Sequence, residues 1–133
     1  MRVTSEHIYQ LGLMEVFVFG SNLSGIHGGG AAKLAHERFG AVYGNPIGLQ
    51  GNSYAIPTKN EDISKTLPLI EIAGYVYEFI EFAKINQMFK FLVTEIGCGL
   101  AGLTPEEVAP LFKQAIDIPN IHLPERFWKI LKP

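Results

Sequence analysis

Residues 16–32 read VFVFGSNLSGIHGGGAA, and this stretch decides the fold that the sequence predicts. Its first residues, Val16-Phe17-Val18-Phe19, form a continuous apolar run, which is typical of a strand buried on both faces of a mostly parallel sheet. The loop that follows ends in Gly28-Gly29-Gly30, and the apolar spacing after it predicts a helix over residues 31–39. The stretch therefore predicts a strand, a glycine-rich loop and a helix, in that order.

The same order occurs a second time, later in the chain. Residues 91–96 (FLVTEI) form another apolar strand, which leads into Gly97-Cys98-Gly99-Leu100-Ala101-Gly102. Thr104-Pro105-Glu106-Glu107 then combines an N-cap threonine, a proline in the first turn and a glutamate three residues after the cap, which together form a capping box. A second helix is therefore predicted to begin there and to extend its apolar face to Ala115.

The rest of the chain continues the alternation of strands and helices. A short strand, a long helix with a 3.6-residue apolar period and a last strand are predicted over residues 53–56, 67–86 and 120–123. Pro57 is expected to end the first of these strands, because proline cannot donate to a strand ladder. We therefore predict one α/β domain over residues 1–133, with a three-layer α/β/α sandwich around a mixed, mostly parallel sheet.

Composition and charge narrow the classes of function. The chain is 47% hydrophobic and 18% charged, which favours a folded core over disorder. Its net charge is −2 and its basic residues are scattered, which argues against a nucleic-acid duplex as partner. Cys98 is the single cysteine, so we expect neither a disulfide nor a metal or other cofactor. Without a signal peptide or a long apolar run, the predicted location is cytoplasmic, away from membranes.

Each glycine-rich loop lies between a buried strand and a helix, an arrangement that binds anions in other proteins. Ligands of open α/β sheets bind beyond the carboxyl ends of the strands. Glycine permits positive φ angles, which we expect at Gly29 and Gly99, and it lets a ligand approach the backbone closely. Free N–H groups at a helix start then bind phosphate. Two such loops suit a diphosphate; the simpler alternative is that the glycines serve only tight turns and helix packing.

The two loops resemble those of the macrodomain family rather than the Walker A or Rossmann motifs. Asn22, six residues before Gly28-Gly29-Gly30-Ala31, looks like that family's asparagine-to-triple-glycine motif. Gly99-Leu100-Ala101-Gly102 looks like its phosphate-binding loop, and Gly97-Cys98-Gly99-Leu100 is closest to the branch containing terminal ADP-ribose protein glycohydrolase. The resemblance covers residues 16–112 and implies a macrodomain-like fold that binds ADP-ribose.

The resemblance also implies roles for single residues. Asn22 would contact the distal ribose, residues 28–30 would line that ribose and the diphosphate, and residues 97–102 would hold the diphosphate from the other side. Lys59 matches the position of the branch's catalytic lysine. Two features depart from the pattern: the branch's catalytic aspartate falls at Ala101, and the Gly-Asp-Ile-type segment that holds adenine is absent from the N-terminus.

Four further side chains have competing interpretations. Glu95 precedes the second loop. A buried acid there is either paired with another side chain or faces a pocket, where it can supply acid–base chemistry. Lys59 is either a solvated charge or, when desolvated, a usable nucleophile. Cys98 is either a small buried side chain or a nucleophile near a helix start. His27 lies in the first loop, where an imidazole can hydrogen-bond a ligand.

These observations lead to three hypotheses of function. The first is binding of ADP-ribose or a related ADP-ribosyl nucleotide through both loops, with an ADP-ribosylated protein as a second candidate partner. Slow ADP-ribosyl glycohydrolase activity, with Lys59 and Glu95 as the candidate catalytic residues, is an open addition to this hypothesis. The second is hydrolysis of another phosphorylated ribose or nucleotide. The third is a non-catalytic interaction domain whose loops serve only the fold.

Overall fold

Six strands form one sheet in the computed structural model, which describes residues 1–133. The strands are β1 (Val3–Thr4), β2 (Glu15–Asn22), β3 (Gly48–Gln50), β4 (Ser53–Lys59), β5 (Lys90–Val93) and β6 (Ile121–Pro124). They lie side by side in the order β1-β6-β5-β2-β4-β3, and every neighbouring pair is parallel except β3 with β4. The predicted α/β class with a mixed, mostly parallel sheet is therefore confirmed.

The helices are α1 (Gly30–Arg38), α2 (Leu69–Ile85), α3 (Pro105–Val108) and α4 (Glu125–Leu131), with a 3-10 helix over Ala109–Asp117. The predicted capping box is confirmed, because Glu107 N donates to Thr104 Oγ1 (3.2 Å) while Thr104 N donates to Glu107 Oε1 (3.0 Å). The α-helix it starts gives way to the 3-10 helix at the point where Pro110 lacks an N–H. No helix has the length and the apolarity that crossing a membrane requires.

Successive residues of β2 belong to two different cores. Val16 and Val18 pack into the larger core, together with α2 residues such as Phe79. Phe17 and Phe19 pack into a smaller core with α1. Because side chains alternate along a strand, this division means that both faces of β2 are covered, as its apolar run predicts.

Two predicted strand ends are wrong by a few residues. β4 continues through Pro57 to Lys59. Its outer edge pairs with β3 only over residues 53–55 and is bridged again only at Thr58 and Lys59, so Pro57 lies in the gap between the two pairings. β5 ends at Val93 rather than at Ile96. Its last ladder bonds come from Thr94, whose N and Oγ1 both donate to Val18 O, and the chain then turns away from the sheet.

The edge strands β1 and β3 were not predicted, since each is very short and depends on a distant partner. β1 pairs with β6 at the other end of the chain. Arg2 strengthens this junction: its Nε donates to Ile121 O (2.9 Å), and its backbone O accepts from Trp128 Nε1 (2.7 Å). The N-terminal segment is thus held against the C-terminal part of the sheet.

Candidate functional site

The carboxyl ends of β2, β4 and β5 meet at one edge of the sheet, because these strands are parallel neighbours. A cleft of about 540 Å³ opens there between the loop after β2 and the loop after β5, and we call it the central cleft. Most of the predicted site residues line it: Asn22, Gly28, Gly29, Gly30, Lys59, Glu95, Gly97, Gly99, Leu100 and Ala101. The side chains of His27 and Cys98, and the backbone of Gly102, lie outside its lining.

The first loop ends in a row of unused backbone donors. Gly29 is the N-cap of α1, no side chain caps this helix, and its first turn has no acidic residue. The N–H groups of residues 28–32 make no hydrogen bond within the protein, and these residues line the central cleft. The positive end of the α1 dipole is therefore available to a ligand there.

The second loop supplies a further set of free donors. Its turn is closed by Gly102 N donating to Gly99 O (3.0 Å) and Leu103 N donating to Gly97 O (2.8 Å). The N–H groups of residues 99–101 have no partner in the protein. Leu100 reaches towards the first loop, so that its Cδ1 lies 3.1 Å from the position a Cβ on Gly29 would occupy. The two sets of donors therefore flank the same cleft at close range.

The expected positive φ angles at Gly29 and Gly99 are wrong. Gly29 has φ −153°, which is extended backbone, and Gly99 is not among the residues with positive φ. The left-handed positions are their neighbours Gly30 (φ +57°), Gly97 (φ +73°) and Gly102 (φ +78°). A Cβ on Gly29 would lie 3.1 Å from Leu100 Cδ1, so a side chain there would displace Leu100 at the cleft.

Asn22 holds the first loop in shape. Its side chain is 7% exposed, its Nδ2 donates to Ile26 O (2.8 Å), and its Oδ1 accepts from Ile26 N (2.9 Å). The single proton of Ser24 Oγ is shared between Asn22 Oδ1 (3.0 Å) and Glu61 O (2.7 Å). One hydrogen of Nδ2 is left for any other partner. The predicted ribose contact would have to use that hydrogen.

Lys59 lies where three loops converge. In the register of the parallel strands it is the partner of Asn22, after an irregularity at the end of β2. The loop that follows Lys59 is tied to the second glycine loop by Thr66 Oγ1, which donates to Ala101 O, and to the first loop by Ser24 Oγ, which donates to Glu61 O. Lys59 is half-buried and forms none of the four ion pairs of the protein.

Glu95 is held by an arginine that the sequence pattern did not single out. Its carboxylate accepts two hydrogen bonds of 2.7 Å from Arg126, from Nε to Oε2 and from Nη2 to Oε1. The hydrogen bonds from Arg126 lower the pKa of Glu95, against the opposing effect of partial burial. Glu95 is therefore ionised at neutral pH and cannot serve there as a proton donor.

His27 lies behind the first loop. Its side chain is 1% exposed, its Nε2 lies 2.9 Å from Val42 O, and its Nδ1 has no partner. Because a carbonyl oxygen only accepts, Nε2 donates to Val42 O, and Nδ1 is a buried nitrogen without a partner. The ring packs edge-on against Phe19. The structure does not bring this imidazole to the central cleft.

Cys98 is poorly suited to be a nucleophile. Its half-buried thiol donates to Ile96 O (3.5 Å). Burial, with a smaller effect from the nearby Glu95 carboxylate, raises the pKa of the Cys98 thiol to about 11. Since the thiolate is the reactive form, very little of this side chain is reactive at neutral pH.

A second cavity, of about 650 Å³, adjoins the central cleft at Gly30, Ala31, Thr94 and Glu95. We call it the N-terminal cavity, because Thr4 and its neighbours in residues 3–8 form one wall. Its lining is mixed: apolar side chains such as Phe17 and Leu34 lie with the charged side chains of Glu6, Glu95, Glu125 and Arg126. Thr4 is 5% exposed, and its Oγ1 is a buried hydroxyl without a partner.

Sequence reasoning missed Thr4, Arg126 and the whole N-terminal cavity. Their place in the site depends on the pairing of β1 with β6, which joins opposite ends of the chain. No local sequence pattern indicates that pairing. Together the two cavities form one branched depression with free amide donors at its centre and a compartment of mixed apolar and charged lining at one end. Comparison of the chain with family models, curated proteins and solved structures found no match.

Proposed function

We propose that the protein binds ADP-ribose or a closely related ADP-ribosyl nucleotide. The observation that carries the proposal is the pair of free amide rows, residues 28–32 and residues 99–101, on the same cleft. Each row is an anion site by its dipoles and donors, and their close approach through Leu100 and Gly29 suits two linked phosphates. A single phosphate would leave one of the rows unused.

The compartments on either side of the amide rows fit the rest of this ligand. The N-terminal cavity combines the apolar side chains of Phe17 and Leu34 with polar and charged groups along residues 3–8 and at Arg126, which suits a base and its ribose. At the other end, Asn22 and Lys59 offer a hydrogen-bond donor and a positive charge to a second ribose. The sequence motifs assign no residues to adenine. We propose that residues 3–8 make that contact.

The proposal includes a macrodomain-like, three-layer arrangement of the chain. α1 packs on one face of β2, and α2 with the 3-10 helix packs on the other, which supports such layers. An ADP-ribosylated protein would present the same ligand group to the cleft.

We further propose that any glycohydrolase activity is slow. Ala101 has no proton to transfer, and the Glu95 carboxylate is already engaged by Arg126. Lys59 would then act without an acid–base partner, which typically forfeits about 10²–10⁴-fold in rate.

Calorimetric titration with ADP-ribose tests the binding proposal. Parent protein should bind in the micromolar range, about −7 to −8 kcal/mol. Gly29→Val should abolish binding without unfolding the chain, because its backbone is extended and the new side chain meets Leu100 inside the cleft. Gly74→Val is the matched control, since Gly74 is exposed on α2 with open space around it.

Absence of binding to parent, or unchanged binding by Gly29→Val, would refute the proposal. Equal affinity for AMP or ribose 5-phosphate would favour the other phosphate-ester hypothesis.

A gain-of-function variant tests the account of catalysis. Ala101→Asp should release ADP-ribose from a mono-ADP-ribosylated protein about tenfold or more faster than parent, since a carboxylate in the cleft adds proton transfer. Ala101→Asn has nearly the same size and should not gain activity. Rapid turnover by parent that survives both Lys59→Ala and Glu95→Gln would show that other groups perform the reaction.

A further inference from the structure

Ile63 has a backbone conformation that its side chain disfavours. Its φ is +66°, in the left-handed region, and Met14 is the only other non-glycine residue of the chain with a positive φ. A side chain branched at Cβ is crowded by its own backbone in this conformation, so an isoleucine there is a genuine outlier. Such strain persists only where the surrounding structure imposes it, and it is concentrated at functional sites.

Hydrogen bonds fix the segment that contains Ile63. Lys59 and Thr66 form an antiparallel bridge that closes the segment, and within it Ile63 N donates to Asn60 O (3.2 Å). The hydrogen bonds from Ser24 and to Ala101 tie the same segment to both glycine-rich loops. The surrounding structure therefore holds the turn at Ile63 in its strained form.

The side chain of Ile63 belongs to neither hydrophobic core. It is half-buried and lines the central cleft instead. Ile26 is its counterpart in the first loop: it also lines the central cleft, it is 42% exposed, and it too belongs to neither core. Packing of the protein therefore accounts for neither side chain, and apolar groups on the lining of a cleft suit an apolar part of a ligand.

The two isoleucines follow the two polar residues at one end of the central cleft. Ile26 lies four residues after Asn22, whose side chain holds the N–H and the C=O of Ile26. Ile63 lies four residues after Lys59. Because Asn22 and Lys59 are partners in the register of β2 and β4, the loops that contain the isoleucines leave neighbouring strands at the same level. We call the two side chains the isoleucine wall.

We propose that the isoleucine wall is a subsite for an apolar group, alkyl or aryl, attached to the second ribose of the ligand. The inference rests on the proposed function, in which that ribose contacts Asn22 and Lys59. Contact with the wall removes the apolar group from water, which is favourable. Glycine is the residue best suited to the φ of Ile63, but it would leave this part of the cleft without a wall.

Titration with two compounds tests the inference: ADP-ribose, and ADP-ribose with a phenyl group on the anomeric oxygen of its second ribose. Parent should bind the phenyl compound about tenfold more tightly, as expected when about 55 Å² of apolar surface is removed from water. Ile63→Gly and Ile63→Asn should each reduce this preference to about twofold or less. Ile63→Leu keeps an apolar side chain and should retain most of it. The readout is a ratio of two affinities, so a general loss of binding does not imitate the effect.

The melting temperature gives a second readout, because the substitution that weakens the preference should also stabilise the protein. Glycine and asparagine accept a positive φ better than isoleucine, so Ile63→Gly and Ile63→Asn should melt roughly 3 °C above parent. Met14→Gly is the matched control, since it relieves the other positive φ at a residue that lines neither the central cleft nor the N-terminal cavity. It should also melt above parent, yet bind both compounds as parent does.

Three results would overturn the inference alone. They are equal or weaker binding of the phenyl compound by a parent that binds ADP-ribose, a phenyl preference that survives both Ile63→Gly and Ile63→Asn, and a melting temperature of Ile63→Gly below that of parent. The last result would show that the side chain serves the fold. Failure of parent to bind either compound would overturn the proposed function and the inference with it.

Discussion

At the scale of single residues, the site is made mostly of side chains that position backbone. Asn22 uses three hydrogen bonds to shape the first loop, and Arg126 fixes Glu95. The donors that would meet a diphosphate are main-chain N–H groups. Variants of these side chains should therefore affect binding through the loop or the ion pair that each one holds.

Asn22→Ala should reduce both stability and binding. It removes the side-chain partners of the Ile26 N–H and C=O, two hydrogen bonds that are typically worth about 0.5–1.5 kcal/mol each in the free energy of unfolding. Urea denaturation measures that loss, and calorimetry with ADP-ribose should show weaker binding by a similar factor. Ser24→Ala removes the hydroxyl that lies between Asn22 Oδ1 and Glu61 O but leaves both bonds to Ile26 in place, and it is the control. Full affinity in Asn22→Ala would mean that the loop shape does not depend on this side chain.

Glu95 should contribute a pH-dependent part of stability. The pKa of Glu95 is lowered in the folded protein. Its contribution to stability is therefore fully present above the ordinary glutamate pKa of 4.5. It is lost as the pH falls from 4.5 through the lower pKa of the folded state. The melting temperature of parent should therefore fall more steeply below pH 4.5 than that of Glu95→Gln. Glu125→Gln, at a highly exposed pair with Lys129, should follow the parent curve. Identical acid profiles for parent and Glu95→Gln would contradict the prediction.

At the scale of elements, local signals predicted the strands and loops that face the site, and missed what distant pairing creates. The apolar run of β2 and the capping box after residue 103 depend on neighbouring residues only, so they could be read directly. β1 gains its partners at the far end of the chain, and Glu95 finds Arg126 on α4. The φ angles at Gly29 and Gly99 could not be assigned, because any glycine of a run can take the left-handed position.

The capping box offers a test at this scale. Thr104→Ala removes the acceptor for Glu107 N at the start of α3 and should lower the free energy of unfolding by about 1 kcal/mol. Urea denaturation measures the change. Thr104→Ser keeps the hydroxyl and should remain close to parent. Affinity for ADP-ribose should change little in either variant, since Thr104 does not line the central cleft. A large loss of affinity would show that the capped helix also fixes the conformation of the second loop.

At the scale of the whole molecule, the site lies at the centre of a sheet whose first strand is next to its last. Arg2 donates to carbonyls of residues 115, 116 and 121 and receives the indole N–H of Trp128. During synthesis on the ribosome, these partners are made 113 to 126 residues after Arg2. The N-terminal segment must therefore wait, unpaired, until they have emerged. A wall of the ligand-binding depression is completed only then, so no chain that still lacks these residues can have the full site.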